Sequence, residues 1–234
     1  MYKTLLFDLD GTLLSMNMHE FVERYLDSIN LRFEILFKPG DFLGRLLQST
    51  QAMIMDKNPD KTNEDVFMEN FLPHVSFSRR ELIALFNDYY KRDFPRLQYY
   101  THAEPLAKKI VEQAVSRKRE VVIATNPVFP EVAIRQRLQW AGLDHVPFRL
   151  VTTYENMHFC KPHLEYYNEI LKTLNRLPGE CLMIGNDARE DLAAKDVGID
   201  TFLLKNDLIN AEEEVCRPDH EGYLEDLYQF ICSL

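Results

Sequence analysis

No stretch of this chain approaches the roughly 18 consecutive apolar residues that a membrane-spanning helix needs, so no membrane partner is expected. Its four cysteines (Cys160, Cys181, Cys216 and Cys232) are scattered without a C-x-x-C pair, which speaks against a disulfide framework and for free thiols in a reducing compartment. Lysine and arginine form no dense run. They number 27 against 37 aspartates and glutamates, and the resulting net charge of -10 repels polyanions, so general nucleic-acid binding is not expected. Internal repeats and low-complexity segments are also missing. Asp8 arrives too early for the first residues to be a secretory signal, which leaves a soluble, cytoplasmic protein as the expectation. The oligomeric state stays open between monomer and homodimer.

What is present reads as globular. Hydrophobic residues make up 46% and charged residues 27%, enough for a core and too balanced for disorder. With 234 residues, the chain can form one large domain or a core domain with a smaller one attached. An acidic protein that handles an anion must concentrate positive charge locally, through a metal ion and one or two lysines.

The stretch Leu5-Leu6-Phe7-Asp8-Leu9-Asp10-Gly11-Thr12 is a short apolar strand running into two carboxylates, a glycine and a hydroxyl. On an extended backbone, side chains at i and i+2 leave the same face, so Asp8 and Asp10 project together beyond the strand's carboxyl end. In open parallel α/β sheets, ligands bind at that end. Two crowded like charges repel, and a bound cation relieves the repulsion. These eight residues therefore predict a divalent-metal site that handles an anionic substrate.

From Met18 to Leu97 the periodicity is helical. Phe21, Val22, Tyr25, Leu26 and Ile29 recur at spacings of three and four. Further helices are predicted from Phe42 to Met55, from Asn63 to Leu72, and from Ser78 to Tyr90 before Pro95, with Ser78 as a cap. After this block of about 80 residues, strand and helix alternate. Strands are predicted at 120–124, 148–151, 181–184 and 201–204, and helices at 106–115, 130–140, 164–174, 191–197 and 223–231. Such βα repetition implies an α/β fold with a doubly wound parallel sheet and right-handed crossovers.

The residues after each strand are then the ones to examine. They are Asp8 and Asp10; Thr125 and Asn126; Lys161, at a helix threshold with Pro162 and His163; and Asp187 and Asp191 in the run after Gly185. Singly, each has an ordinary reading as a turn or helix entry. All four patches, in this order and each at a predicted element end, point to one site. His158, Cys160 and His163 match no zinc spacing. The paired tyrosines at 89–90, 99–100 and 166–167 read as core and interface residues.

With these motifs in place, the chain resembles a haloacid dehalogenase (HAD) superfamily phosphohydrolase carrying a helical cap inserted after the first motif. The family's D-x-D-G-T is matched by Asp8-Leu9-Asp10-Gly11-Thr12, and its strand-end Ser/Thr by Thr125, with Asn126 beside it. Its lysine is matched by Lys161, and its spaced acidic pair by Asp187 and Asp191. Two departures stand out: Asn186 separates Gly185 from Asp187, and Pro162 is followed by His163. The resemblance implies a Rossmann-like core from 1–14 and 98–234 and an all-helical cap from 15–97. It also implies Mg²⁺ held by Asp8, the backbone carbonyl of Asp10 and Asp187. Asp8 would be the nucleophile that becomes an aspartyl-phosphate, and Asp10 the general acid and then base. Thr125, Asn126 and Lys161 would hold the phosphate, with Asp191 supporting from behind. A small phosphorylated metabolite is the implied substrate, with Arg45 and Lys38 as candidate contacts to a second anionic group.

Rival readings are a phosphomutase or a phosphonatase on the same fold, and a catalytically silent binding module. A phosphonatase needs a Schiff-base lysine, for which Lys38 is the candidate, and a mutase must exclude water. The crowded carboxylates argue against a silent module, because without chemistry nothing repays their repulsion. Dehalogenation needs neither Asp10 nor a metal-binding Asp187.

Overall fold

A computed structural model describes residues 2–37, 41–213 and 216–234. In chain order its elements are β1 (Thr4–Phe7), β2 (Leu14–Met16), α1 (Met18–Phe33), α2 (Asp41–Met55), α3 (Asn63–Phe71), α4 (Arg79–Arg92) and β3 (Thr101–Ala103). Then follow α5 (Pro105–Ser116), β4 (Glu120–Ile123), α6 (Glu131–Trp140), β5 (Leu150–Val151), α7 (Leu164–Leu174), β6 (Cys181–Gly185), β7 (Asp200–Leu204), β8 (His220–Gly222) and α8 (Leu224–Ser233).

Six strands form one parallel sheet in the order β5-β4-β1-β6-β7-β8. The first strand is central and all four of its residues are buried, as expected of an apolar run covered on both faces. Leu5 and Phe7 join one core with Ile110 and Val111 of α5 and Leu227 and Ile231 of α8. Leu6, pointing the other way, joins a second core with Tyr166, Tyr167 and Ile170 of α7. Helices therefore lie on both faces, and the sheet is doubly wound. Because β4 lies on one side of β1 and β6 on the other, the chain reverses direction across the sheet at β1. A crevice opens at the carboxyl ends of strands at such a switch point.

All four helices of the 18–97 block are present. Thr62 with Asp65, and Ser78 with Glu81, close the amino termini of α3 and α4 as reciprocal capping boxes. The block has an aromatic interior in which Phe33 stacks on Phe42 at 5.0 Å and Phe67 on Phe71 at 5.4 Å. It is tied to the rest of the molecule by Phe94 stacked on Trp140 at 5.3 Å, and by Asn63, whose amide N–H donates to the Met157 carbonyl at 2.8 Å. The chain enters and leaves the block along an antiparallel ribbon in which Leu14, Ser15 and Met16 face Ala103, His102 and Thr101. Sequence patterning missed this ribbon and β8, because three-residue strands are too short to show alternation. Leu192–Val197, expected as an α-helix, is a 3₁₀ segment that stops at Gly198, whose φ of +85° suits a residue without a side chain. No described helix is long and apolar enough to cross a membrane.

Candidate active site

Four loops converge above the carboxyl end of β1. Asp8 follows β1 directly, its N–H donating to the Ile184 carbonyl at 2.9 Å, so its backbone continues the sheet by one residue. The chain then turns sharply: the Leu13 and Leu14 amides both donate to the Leu9 carbonyl at 2.9 Å. Gly11 sits in this turn at φ +82°, and a Cβ there would lie 2.3 Å from the Asn186 Nδ2. The turn thus needs glycine for its backbone and for the side chain that crosses it.

Lys161 is the hub. Its side chain is 1% exposed, and its ammonium donates to Asp8 Oδ1 at 3.0 Å and to Asp191 Oδ1 at 2.6 Å. Burial alone would pull that ammonium down, but Asp191 and Asp8 outweigh it and hold Lys161 well above the ordinary lysine value. Burial pushes both carboxyls up in turn, and Lys161 opposes the rise. Asp191 also accepts the Asp187 N–H at 2.9 Å through Oδ2. To do so it folds back over Gly185, where a Cβ would come within 1.9 Å of that oxygen. Asp191, expected to support from behind, thus lies in direct contact with Lys161.

Asp187 is oriented by the Arg189 and Glu190 amides, which donate to its Oδ1 at 2.8 and 2.9 Å, and by the Asn210 amide. Asn186, the departure from the family's pattern, lines the same cleft and is held by its own partners. Its Oδ1 accepts from the Thr12 hydroxyl at 2.9 Å and its Nδ2 donates to the Asp207 carbonyl at 2.6 Å, so it fastens the first loop to the fourth. Thr125 is buried, and its carbonyl accepts from the hydroxyls of Thr152 and Tyr166 at 2.7 and 2.9 Å. Asn126 accepts the Lys161 N–H at 3.2 Å and donates to Glu190 at 2.9 Å.

Asp8, Asp10, Thr125, Asn126, Asp187 and Asp191 line one cleft of about 240 Å³, roofed by Met18, Val22, Val128, Phe129 and Ile209. Two residues of the helical block, Met18 and Val22 on α1, therefore face the carboxylates. Arg45, expected near a second anionic group, lies on α2, pairs with Asp41 at 3.3 Å and is not among the cleft residues. Its position one turn from Asp41 on the same helix face explains that pairing. Lys38 lies outside the described residues. His158 pairs with Glu169 and His163 with the Ile54 carbonyl.

Two residues at the site escaped the motif reading. Glu190 lines the cleft, and burial, opposed by Lys161, pushes its carboxyl up to about 8. Arg137 of α6 is 1% exposed and bonds Asp10 Oδ2 through Nη1. Burial pushes Asp10 up, while Arg137 and Lys161 pull it down. Arg137 occupies the buried stripe of α6, between Ala133 and Ile134 and then Leu138, where an apolar residue belongs. An arginine at a core position of the expected helix is the sequence signal that was available for it.

Comparison with known proteins bears on the family and the fold. A pyrophosphatase PpaX of Anoxybacillus flavithermus is 26% identical over 205 residues, covering 85% of this chain and 81% of that protein. The crystal structure of a HAD phosphatase from Thermococcus onnurineus superposes with a TM-score of 0.60 at 20% identity, over 99% of this chain and 98% of the other. A predicted phosphoglycolate phosphatase from Haemophilus somnus gives 0.58 at 18% identity, over 98% and 97%. The profile of the haloacid dehalogenase-like hydrolases matches residues 2–225, and with that span, this sheet order and these four converging loops, the chain belongs to that family.

Proposed function

We propose that this protein is a Mg²⁺-dependent phosphohydrolase that cleaves small phosphate esters through a phosphorylated Asp8. The observation that carries this reading is the buried Lys161 ammonium bonded to Asp8 and Asp191, two carboxylates that line a cleft together with Asp10, Asp187 and Thr125. Similarity to proteins described as phosphatases and pyrophosphatases supports it. The helical block acts in this reading as a cap, since α1 supplies Met18 and Val22 to the roof.

The donor set suits a hard cation. Asp8 and Asp187 offer carboxylate oxygens in one cleft, and Lys161 occupies only one oxygen of Asp8. Asp8, Asp187 and the Asp10 backbone carbonyl would hold Mg²⁺, whose charge offsets the repulsion between Asp8 and a phosphate ester when bound. Lys161 fixes the orientation of Asp8 and draws negative charge from the transferring phosphoryl group. An Asp8 oxygen attacks phosphorus, and the departing alkoxide takes a proton from Asp10. Asp10 then accepts a proton from the water that attacks the acyl phosphate, releasing phosphate and restoring Asp8. Thr125 positions phosphoryl oxygens through its hydroxyl. The apolar roof favours a leaving group with an apolar face.

Hydrolysis of p-nitrophenyl phosphate by the purified protein, with Mg²⁺ and with EDTA, tests the proposal. Turnover is expected with the metal alone, and Asp8→Asn should abolish it. Metal-independent turnover, or an active Asp8→Asn variant, would sink the reading. The phosphomutase alternative predicts phosphate transfer to a second sugar hydroxyl in place of release to water.

A further inference from the structure

We infer that Arg137 is a positioning residue that sets the orientation of the Asp10 carboxylate; the inference rests on the phosphohydrolase reading above. Its guanidinium is 1% exposed and bonds a single oxygen of Asp10. It also lies over the face of Phe129, 4.5 Å from the ring centroid, and Phe129 packs against Tyr25 of α1 at 5.2 Å. Three constraints therefore fix the cation: the α6 backbone, the Phe129 ring and Asp10.

A surface arginine is easily accounted for, but a buried one calls for a reason. Removing a guanidinium from water is costly unless its donors are satisfied. Here Nε and Nη2 have no hydrogen-bond partner among the described residues, and neither does Asp10 Oδ1. A pairing selected for stability alone would be two-pronged, with both carboxylate oxygens engaged. This one is single-pronged. Arginine only donates, so Oδ2 must accept, and any proton on Asp10 is confined to Oδ1. The contact leaves that oxygen, itself buried, without a partner and holds the carboxylate in one orientation. Phe129 lines the cleft as well, so the ring that supports Arg137 also borders the substrate's leaving group.

The test is a double-mutant cycle on p-nitrophenyl phosphate hydrolysis, with folding of each variant checked by thermal melting. Arg137→Met should lower kcat by about 10²-fold, within the range of acid–base catalysis, and leave KM within about twofold. In an Asp10→Asn background the same change should cost nothing further, because the group it orients is gone. Multiplied losses in the double variant, or a raised KM at unchanged kcat, would overturn the inference. If Arg137→Met does not fold, Phe129→Leu takes its place. It removes the supporting ring, and should give a smaller kcat loss that again vanishes in Asp10→Asn. A wild-type protein without phosphatase activity overturns the phosphohydrolase reading and this inference with it. An active wild type with independent losses overturns the inference alone.

Discussion

Replacing Lys161 by Met keeps most of the side-chain volume and removes the one charge that balances two buried carboxylates. Lys161 is 1% exposed, with Asp191 3% and Asp8 12% exposed, so water cannot substitute for the lost ammonium. Breaking a buried pair from one side costs about 3–5 kcal/mol. For a chain of this size, each kcal/mol moves Tm by about 2–4 °C, so the drop at pH 8 should be about 6–20 °C. The pH dependence is the sharper part. Burial already pushes Asp8 and Asp191 upward, and Lys161 is the influence that opposes it. Without Lys161 both folded-state values rise further above the unfolded value of about 3.9. The folded variant then binds protons more readily than its unfolded chain, so its stability recovers as pH falls toward that value. Melting wild type and variant in EDTA at pH 8 and pH 5 measures the difference directly. The gap should narrow at pH 5. A gap that is equal at both pH values, or wider in acid, would refute the assignment of Lys161 as the counter-charge.

Two other perturbations test the frame around that hub. Gly185→Ala places a methyl group 1.9 Å from the Asp191 Oδ2 and 2.2 Å from its Cγ, so Asp191 must leave Lys161. A cost of about 1–3 kcal/mol in thermal melting is expected, with a kcat loss of up to about 10²-fold from the misplaced lysine. Wild-type melting and rate together would refute the packing argument. Val22 is 40% exposed at the roof of the cleft, so Val22→Lys adds a cation beside the leaving group at little structural cost. The ratio of kcat/KM for phosphoglycolate over p-nitrophenyl phosphate should rise by up to about fivefold, the worth of an exposed ion pair. An unchanged ratio would show that the leaving group does not meet α1.

Much of the fold was legible because its signals are local. The buried run Leu5–Phe7, the strand Glu120–Ile123 and the helices from Met18 to Arg92 each repeat an apolar spacing that a few turns of backbone impose. Asp8, Thr125, Lys161 and Asp187 were legible because each stands where a strand or helix ends. The β2–β3 ribbon was not, since its three residues per strand pair with partners far along the chain. The surroundings of Arg45 were not legible for a related reason. The residue lies within the helix expected from Phe42 to Met55, but which way that helix faces is set by packing, and it pairs there with Asp41.

By itself, the sequence determined the family, five of the six strands of the main sheet and the residues that carry the proposed chemistry. All of these follow from residue type and short spacing. Tertiary structure alone decided the partnerships. Lys161 meets Asp8 across 153 residues and Arg137 meets Asp10 across 127, and both depend on how the sheet is ordered and how α6 is rotated. The contacts of Asn186 were decided in the same way, because only the packed loops bring it to Thr12 and Asp207 at the edge of the cleft it shares with Asp187. Short-range patterns record what the backbone does locally. The pairing of buried charges is set when distant segments exclude water between them, and no local pattern encodes that.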